Sequence, residues 1–189
     1  MSDSVQPWPR LATRPLGDFR IFRLRSERKR SPRTGTEHEF FLLDCAHWVN
    51  ICALTPDDHL VMVEQFRHGS ETVELELPGG VIDPHERDPV AAGLRELREE
   101  TGYTGREARL IGEQLPNPAI MGNTCYTVLV EAALPTHPTE LDHGEDIVVR
   151  RIPVGDLPGL VASGRIRHGV VLAALLYFDL WARNRPARG

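Results

Sequence analysis

Three carboxylates that could bind a metal ion together stand within five residues of the chain: Glu96, Glu99 and Glu100. A double glycine, Gly79-Gly80, precedes them in a segment typical of a loop, and glycine lets backbone carbonyls approach a bound ion closely. Hard divalent cations prefer oxygen ligands, and Mg²⁺ is usually held by a few carboxylates while it keeps several waters. The segment therefore predicts a magnesium site made by a loop and the residues after it.

The residues around these carboxylates predict the helix that positions them. Asp88 is of the type that caps a helix N-terminus, Pro89 is tolerated at the first helical position, and Gly102 can end the helix in a left-handed conformation. At about 100° per residue, Glu96 and Glu100 fall within about 40° of each other. The apolar side of the helix lies about 120° away and is expected to pack into the core; it comprises Val90, Leu94, Leu97 and Thr101.

A second interpretation of the same residues is a solvated acidic helix face. Like charges four positions apart repel each other, so clustering them destabilises a helix unless a cation lies among them. An ion pair between Arg95 and Glu99 would lessen that repulsion without any metal. The double glycine in front of the helix favours the metal site.

From Gly80 to Tyr103 the chain resembles the Nudix box, GX5EX7REUXEEXGU. The matching positions are Gly80, Arg95, Glu96, Leu97, Glu99, Glu100, Gly102 and Tyr103. Glu86 follows Gly80 at the expected spacing, but eight residues instead of seven separate it from Arg95. The extra residue precedes Asp88 and leaves the register of the helix unchanged, so only the role of Glu86 stays open.

The resemblance implies a role for the box residues. Mg²⁺, with Mn²⁺ as an alternative, would be held by Glu96, Glu99 and Glu100 and by the carbonyl of Gly79. The catalytic set would include Glu99, Glu100 and Arg95, with Arg95 orienting Glu99 through a pair four residues apart. Bound ions of this kind neutralise a diphosphate and lower the pKa of the attacking water.

Three residues outside the box match features of the Nudix branch that hydrolyses ADP-ribose or nucleoside diphosphate sugars. Arg67, in EQFRHG, matches an arginine that contacts a substrate phosphate, and Pro118 matches a proline that follows the box. Glu145 matches an extra glutamate that joins the metal site or activates the attacking water. A strand-end salt bridge for Arg67 and a solvated acidic loop around Glu145 are the plainer alternatives. Other members of that loop are alternatives to Glu145: Glu140, Asp142 and His143.

The function that the resemblance implies is Mg²⁺-dependent hydrolysis of the diphosphate linkage of ADP-ribose or a nucleoside diphosphate sugar, giving a nucleoside monophosphate and a sugar phosphate. Trp48 could stack on the base of such a substrate, as could Phe66 or Tyr126. Dinucleoside polyphosphates, coenzyme A and other nucleotides are alternative substrates. A non-catalytic, nucleotide-binding Nudix-like sensor is an alternative of another class, although such domains usually lose a box carboxylate that this chain retains.

Strands and helices predicted around the box indicate an α/β fold. Alternating apolar residues and intervening turn residues predict two hairpins and further single strands. In one of these strands Glu74 and Glu76 face away from the apolar residues, and Glu76 is close enough along the chain to join the metal site. The strands lie at Phe22–Arg25, Glu39–Leu43, Trp48–Leu54, Leu60–Phe66, Thr72–Leu77, Ala108–Ile111 and Cys125–Ala132, and helices at Asp156–Ser163 and Gly169–Arg183 follow. The last helix is apolar nearly all round, which predicts burial on most sides.

These elements favour a mixed sheet covered by helices. The resemblance implies the Nudix α/β/α sandwich, preceded by an N-terminal β-strand region. We expect residues 1–45 to form an N-terminal arm and β-hairpin, with 1–17 as an extended arm, and residues 46–189 to form the Nudix hydrolase domain. A homodimer formed through the N-terminal region is also implied by the resemblance.

Composition limits the classes of partner. A formal charge of −5 argues against a general binder of nucleic acid or membrane surfaces. No apolar run approaches the roughly 20 residues of a membrane-spanning helix, and the first residues lack the core of a signal peptide. Three cysteines without CxxC spacing predict neither a disulfide framework nor a zinc site. We therefore expect a cytoplasmic protein whose partner is a small molecule linked through a nucleoside diphosphate.

Overall fold

The computed structural model describes residues 4–185, which divide into two compact units. One unit extends to Ala46 and includes Leu115–Asn123; the other comprises His47–Gln114 and continues from Thr124. Within the described range, no helix is long and apolar enough to cross a membrane. The carboxylates of the box and the strands next to them all belong to the second unit.

The first unit contains an antiparallel sheet of three strands, β1 (Arg10–Asp18), β2 (Phe22–Arg30) and β3 (Glu37–Cys45), in the order β1-β2-β3. The predicted hairpin is confirmed, because β2 pairs with β3 along its whole length. The prediction of an arm is wrong for Arg10–Asp18, which forms a third strand on β2; residues 1–3 of that arm lie outside the described residues. Since β1 is exposed on both faces, its sequence lacks the alternation that marks a half-buried strand.

The second unit is built on a mixed sheet. Its elements in chain order are β4 (Trp48–Leu54), β5 (His59–Arg67), β6 (Thr72–Glu76), β7 (Gly79–Val81), α1 (Pro89–Thr101), β8 (Tyr103–Thr104), β9 (Glu107–Gln114), β10 (Cys125–Glu131), β11 (Leu134–Pro135), β12 (Ile147–Pro153), α2 (Leu157–Ala162) and α3 (Gly169–Arg183). Seven strands form one sheet in the order β12-β5-β4-β10-β9, with β6 beside β5 and β7 beside β4. The pairing of β10 with β4 is parallel and the others in this sheet are antiparallel, which confirms the predicted mixed sheet.

Helices cover both faces of this sheet. On one face α1 packs on a core that includes Ile51, Val61 and Val128. On the other face α2 and α3 pack on a core that includes Cys52 and Met62. Successive residues of β4 are buried on opposite faces, as expected for a strand in a sheet covered twice. The predicted α/β/α sandwich is thus confirmed.

Helix α1 begins and ends where the sequence predicts. Asp88 caps its N-terminus, with Oδ1 accepting a hydrogen bond from the N–H of Val90 at 2.9 Å, and Pro89 is the first helical residue. Gly102 ends the helix with φ 72°, in the left-handed region. The box carboxylates therefore stand on a helix with both ends fixed.

The predicted apolar side of α1 is wrong at Leu94, which is 36% exposed. The small residues Ala92 and Gly93 are buried in its place. A Cβ atom at Gly93 would lie only 3.3 Å from the side chains of Val49 and Val128, so α1 lies close on the sheet along this line of small residues. That close approach turns Leu94 outward.

Helix α3 has the predicted bounds but is buried along one side only. Val171 and Phe178 face the core, whereas Leu176 is 57% exposed and Leu180 48% exposed. The prediction of burial on most sides is wrong, because an outer-layer helix contacts the sheet along one stripe and apolar composition does not show which.

Candidate active site

A cavity of about 600 Å³ opens beside the N-terminal end of β7 and the polar side of α1. We call it the acidic pocket. Gly79, Gly80, Arg67 and Arg95 also lie on its wall. Six carboxylates that sequence analysis singled out line it: Glu96, Glu99, Glu100, Glu140, Asp142 and Glu145. The fold therefore brings the box and the acidic loop together.

The double glycine lies in strand β7, so the prediction of a loop at Gly79-Gly80 is wrong, and it allows the α1 carboxylates to approach the β7 backbone. The N–H of Gly79 donates a hydrogen bond to Oε2 of Glu100 at 2.9 Å. A Cβ atom at Gly80 would lie 2.5 Å from the carboxyl group of Glu96, and one at Gly79 would collide with the carbonyl oxygen of Val49. Any side chain at either glycine would displace these groups.

Burial and mutual repulsion raise the pKa values of the two innermost carboxylates. The pKa of Glu100 is raised to about 8, first by burial and then by the charges of Glu96 and Glu145, against the hydrogen bond from Gly79. Burial likewise raises the pKa of Glu96 to about 7, although Arg95 opposes the shift. The ionised forms are therefore costly in the protein alone.

This electrostatic state fits a divalent cation. Two buried carboxylates that repel each other would both be stabilised by a cation between them. Among the side chains of residues 4–185, no group of three or more His, Cys, Asp or Glu is placed to hold an ion by itself. The donor set suits an ion held by Glu96 and Glu100 that completes its coordination with other oxygens, as Mg²⁺ does with waters and phosphates.

Arg95 joins the box helix to the loop before it. Its Nε and Nη2 donate to Glu86 at 3.0 and 3.1 Å, and its Nη1 donates to Glu99 at 2.9 Å. Nη2 also lies 3.0 Å from Glu96. Glu86 accepts a further hydrogen bond from the N–H of Asp83 at 3.0 Å. Despite the extra residue, Glu86 therefore reaches Arg95 and holds the loop against α1.

The acidic loop before β12 brings several carboxylates to the pocket. Glu145 is half-buried and accepts a hydrogen bond from the N–H of Asp142 at 3.0 Å. Glu140 lies 3.5 Å from Arg98 on α1, and His143 is exposed. The charge of Glu145 reaches the innermost carboxylates, but the choice of Glu145 over its neighbours stays a prediction.

A second cavity of about 260 Å³ adjoins the acidic pocket. We call it the side pocket. Trp48 lines it, together with apolar residues from β4, β7, β10 and α3. Arg67, Gly79, Gly80 and Val81 line both cavities. One ligand could therefore occupy both and would pass Arg67.

Glu76 belongs to the side pocket and not to the acidic pocket, so the expectation that it joins the metal site is wrong. Its side chain is 2% exposed and accepts two hydrogen bonds from Arg67, at 3.1 and 2.6 Å. Burial alone would raise the pKa of Glu76, but His168 and Arg67 outweigh it and lower the pKa to about 2. Glu76 is thus ionised and paired within the protein.

Sequence reasoning missed two polar residues of the side pocket. Nδ2 of Asn50 donates to the carbonyl of Val170 at 3.3 Å. His168 precedes α3, and its buried Nδ1 lies 3.1 Å from Oε1 of Glu76, although the ring is not oriented for a hydrogen bond. The sequence did carry a signal for each of them. Asn50 is a polar residue inside an otherwise apolar strand, and His168 directly precedes an apolar helix.

Pro118 is not among the residues that line the acidic pocket or the side pocket. It lies in the first unit, in an exposed turn. Its role and those of Trp48 and Arg67 in substrate binding stay predictions.

Comparison with known proteins identifies the family. The NUDIX domain profile matches residues 46–175. The chain belongs to the Nudix family. An ADP-ribose pyrophosphatase of Bacillus subtilis (strain 168) is 30% identical to this Nudix protein over 133 residues, which cover 70% of this chain and 71% of the relative. A methanol dehydrogenase activator of Bacillus methanolicus is 46% identical over 133 residues, again 70% of this chain and 71% of the relative.

A solved structure supports the fold of this Nudix protein. A crystal structure titled as an ADP compounds hydrolase is similar with a TM-score of 0.85 at 22% identity, covering 97% of this chain and 98% of that one. At this identity the likeness concerns the fold alone. The family match and the B. subtilis relative show a Nudix hydrolase related to ADP-ribose pyrophosphatases.

Proposed function

We propose that this Nudix hydrolase uses Mg²⁺ to hydrolyse the diphosphate linkage of ADP-ribose or a nucleoside diphosphate sugar, releasing a nucleoside monophosphate and a sugar phosphate. The main support is the junction of the two pockets. The acidic pocket suits a cation and a diphosphate, and the side pocket next to it has room for one end of the substrate. The B. subtilis relative is named for activity on ADP-ribose, which supports the same substrate class.

The box residues would hold the ion. Glu96, Glu99 and Glu100 and the carbonyl of Gly79 are the proposed ligands, with Mn²⁺ as an alternative to Mg²⁺. When bound, the ion would neutralise part of the phosphate charge and lower the pKa of a coordinated water. Arg95 donates a hydrogen bond to Glu99 and so keeps that carboxylate in one orientation at the pocket wall.

Hydrolysis also needs a base and a phosphate contact. We assign the base to Glu145, whose carboxylate accepts a proton from the attacking water as the water oxygen bonds to phosphorus. The bond from that phosphorus to the bridging oxygen breaks, and the leaving phosphate keeps its electron pair. Arg67 donates to a non-bridging oxygen and holds the diphosphate in line. Trp48 would stack on the substrate end in the side pocket.

A substrate panel tests this proposal. The purified protein is incubated with ADP-ribose, ADP-glucose, GDP-mannose and a dinucleoside polyphosphate, with and without Mg²⁺, and the products are identified by mass. We expect Mg²⁺-dependent release of AMP and ribose 5-phosphate from ADP-ribose, or the equivalent pair from a nucleotide sugar. Absence of a nucleoside monophosphate from all of them would contradict it.

A homodimer through residues 1–45 is part of the same proposal, and residues 46–189 would form the hydrolase domain. The first unit exposes large apolar side chains on its strands and beside them, which is typical of an interface. They include Trp8, Leu11, Leu16, Phe19, Ile21, Phe40 and Phe41. Sedimentation equilibrium should give twice the chain mass; a monomer at micromolar concentration would contradict the dimer.

A second candidate function is regulation of another enzyme through nucleotide binding. The relative with 46% identity is named as an activator of a dehydrogenase, which favours this candidate. A protein that binds nucleotides in the substrate panel without releasing any product would support it over hydrolysis.

A further inference from the structure

Arg67 is fixed in one orientation by a residue outside the acidic pocket. Its Nε donates to Oε1 of Glu76 at 3.1 Å and its Nη2 donates to Oε2 at 2.6 Å. Such a two-bond pair fixes both the plane and the direction of a guanidinium group. The remaining nitrogen, Nη1, makes no hydrogen bond with residues 4–185 and is available to a ligand at the junction of the two pockets.

Glu76 is itself held firmly. It lies on β6, paired with β5, the strand that ends at Arg67. Its side chain is 2% exposed, and Nδ1 of His168, the residue before α3, lies 3.1 Å from Oε1. A side chain enclosed in this way has little freedom to follow Arg67 if the arginine moves, so it acts as a fixed anchor.

Without this anchor, Arg67 would be drawn elsewhere. The charges of Glu100 and Glu145 both act on its guanidinium. A freed Arg67 would turn toward those carboxylates and would neutralise the charge that suits them to a cation. Glu76 therefore has two effects on Arg67. It keeps a hydrogen-bond donor available to phosphate, and it keeps the positive charge of that donor away from the carboxylates of the acidic pocket.

The neighbouring glutamate on the same strand offers a built-in comparison. Glu74 is 6% exposed and is also paired with an arginine: its Oε1 accepts hydrogen bonds from Nε and Nη2 of Arg167 at 3.1 and 2.6 Å. Neither Glu74 nor Arg167 lines the acidic pocket or the side pocket. The two glutamate–arginine pairs start from the same strand, but only the arginine of the Glu76 pair lies at the pockets.

We propose that Glu76 is a positioning residue, which holds Arg67 at the pocket junction so that its free nitrogen meets the substrate diphosphate. The inference rests on the proposed function, because it needs a phosphate-bearing ligand at that junction. Although Glu76 lines the side pocket, both of its carboxylate oxygens are bonded to Arg67, so its effect on the reaction passes through Arg67.

The test compares Glu76→Gln with Glu74→Gln. Each change keeps the side-chain shape and removes one carboxylate charge from a glutamate–arginine pair on β6, and thermal unfolding measures how much stability each variant loses. With ADP-ribose and Mg²⁺, Glu76→Gln should raise KM about tenfold with little change in kcat, as loss of a charge-assisted phosphate contact predicts. Glu74→Gln should keep KM within about twofold of wild type. Equal KM values for the two variants would overturn the proposal.

A double-variant cycle separates positioning from a general structural role. If the effect of Glu76 passes through Arg67, Glu76→Gln should change KM little in an Arg67→Ala background. Additive effects would overturn the inference.

Calorimetric binding of ADP-ribose to each variant separates this inference from the proposed function. A wild type that binds without hydrolysing refutes the function, while the weaker binding expected for Glu76→Gln alone would still support positioning. A wild type that neither binds nor hydrolyses ADP-ribose would overturn both.

Discussion

Two sets of buried glutamates in one site have opposite electrostatics. On α1, burial raises the pKa of Glu100 to about 8 and that of Glu96 to about 7. On β6, burial would also raise the pKa of Glu76, but His168 and Arg67 outweigh it and bring the pKa to about 2. Burial alone therefore does not set the direction of the shift, which depends on whether the opposite charges and hydrogen bonds around the carboxylate outweigh burial and like charges.

The opposite pKa shifts distinguish a glutamate whose ion pair is complete within the protein, Glu76, from two glutamates that still lack a cation between them, Glu96 and Glu100. The charge of Glu76 is balanced by Arg67 inside the protein, so its ionised form stabilises the fold. The α1 carboxylates face each other, so their ionised forms destabilise the metal-free protein and favour a bound cation. We therefore expect the β6 carboxylate to serve the scaffold of the site and the α1 carboxylates to bind the cation.

Among the variants that test this contrast, Glu100→Gln is expected to change activity most. We expect kcat for ADP-ribose in Mg²⁺ to fall at least about a hundredfold, because a metal-ion contribution of several kcal/mol is lost. The metal-free variant should unfold at a higher temperature than wild type at pH 8, since a buried charge and its repulsion of Glu96 are gone. Turnover assays and thermal unfolding in EDTA measure the two effects.

An exposed carboxylate serves as the control for this change. Glu113→Gln, on β9, should alter neither turnover nor stability. If Glu100→Gln turned over at the wild-type rate, the metal role would be wrong. If it lost stability as well as activity, the electrostatic contrast would be wrong.

The box helix and most strands follow from local sequence. The cap at Asp88 and the left-handed Gly102 depend on neighbouring residues only, and the structure has both. The grouping of Glu96 with Glu100 follows from the helical period in the same way. Local physical rules therefore suffice for the part of the site that lies on one element.

Features that depend on contacts between distant residues could not be predicted in this way. The outward turn of Leu94 depends on how closely Gly93 approaches β10, and the strand Arg10–Asp18 depends on pairing with β2. The partner of Glu76 is set by the register of β6 on β5, which places Arg67 within reach. The alternation of apolar and polar residues in β6 showed which face of the strand Glu76 occupies, but it did not show which charged residue lies beside it.

Glu145→Gln tests which carboxylate of the acidic loop belongs with the α1 group. We expect kcat to fall about a hundredfold, at the low end for loss of a general base. Glu140→Gln is the matched control, because Glu140 stands in the same loop but pairs with Arg98; its activity should stay within a few fold of wild type. The reverse pattern in steady-state assays would move the base from Glu145 to Glu140.

The pH dependence of stability tests the β6 side of the contrast. The folded-state pKa of Glu76 lies below its ordinary value of 4.5, so its pair stabilises the protein fully above pH 4.5 and loses that contribution as pH falls toward 2. Glu76→Gln should therefore lower the free energy of unfolding by about 2 kcal/mol at pH 7 and by clearly less at pH 3. Denaturant unfolding at the two pH values measures this, and an equal loss at both would show that ionisation of Glu76 is unimportant.

The smallest change in activity is expected for a substitution at Gly80, whose backbone lies against the α1 carboxylate of Glu96. A methyl group at Gly80 would lie 2.5 Å from the carboxyl group of Glu96, so Gly80→Ala must push that side chain out of place. We expect kcat to fall about tenfold, because small displacements of a catalytic group are costly. Gly155→Ala adds the same methyl group where no atom lies within 4 Å, and it should leave kcat unchanged. Equal kcat values for the two alanine variants would mean that catalysis does not depend on the close approach of Glu96 to the backbone of β7.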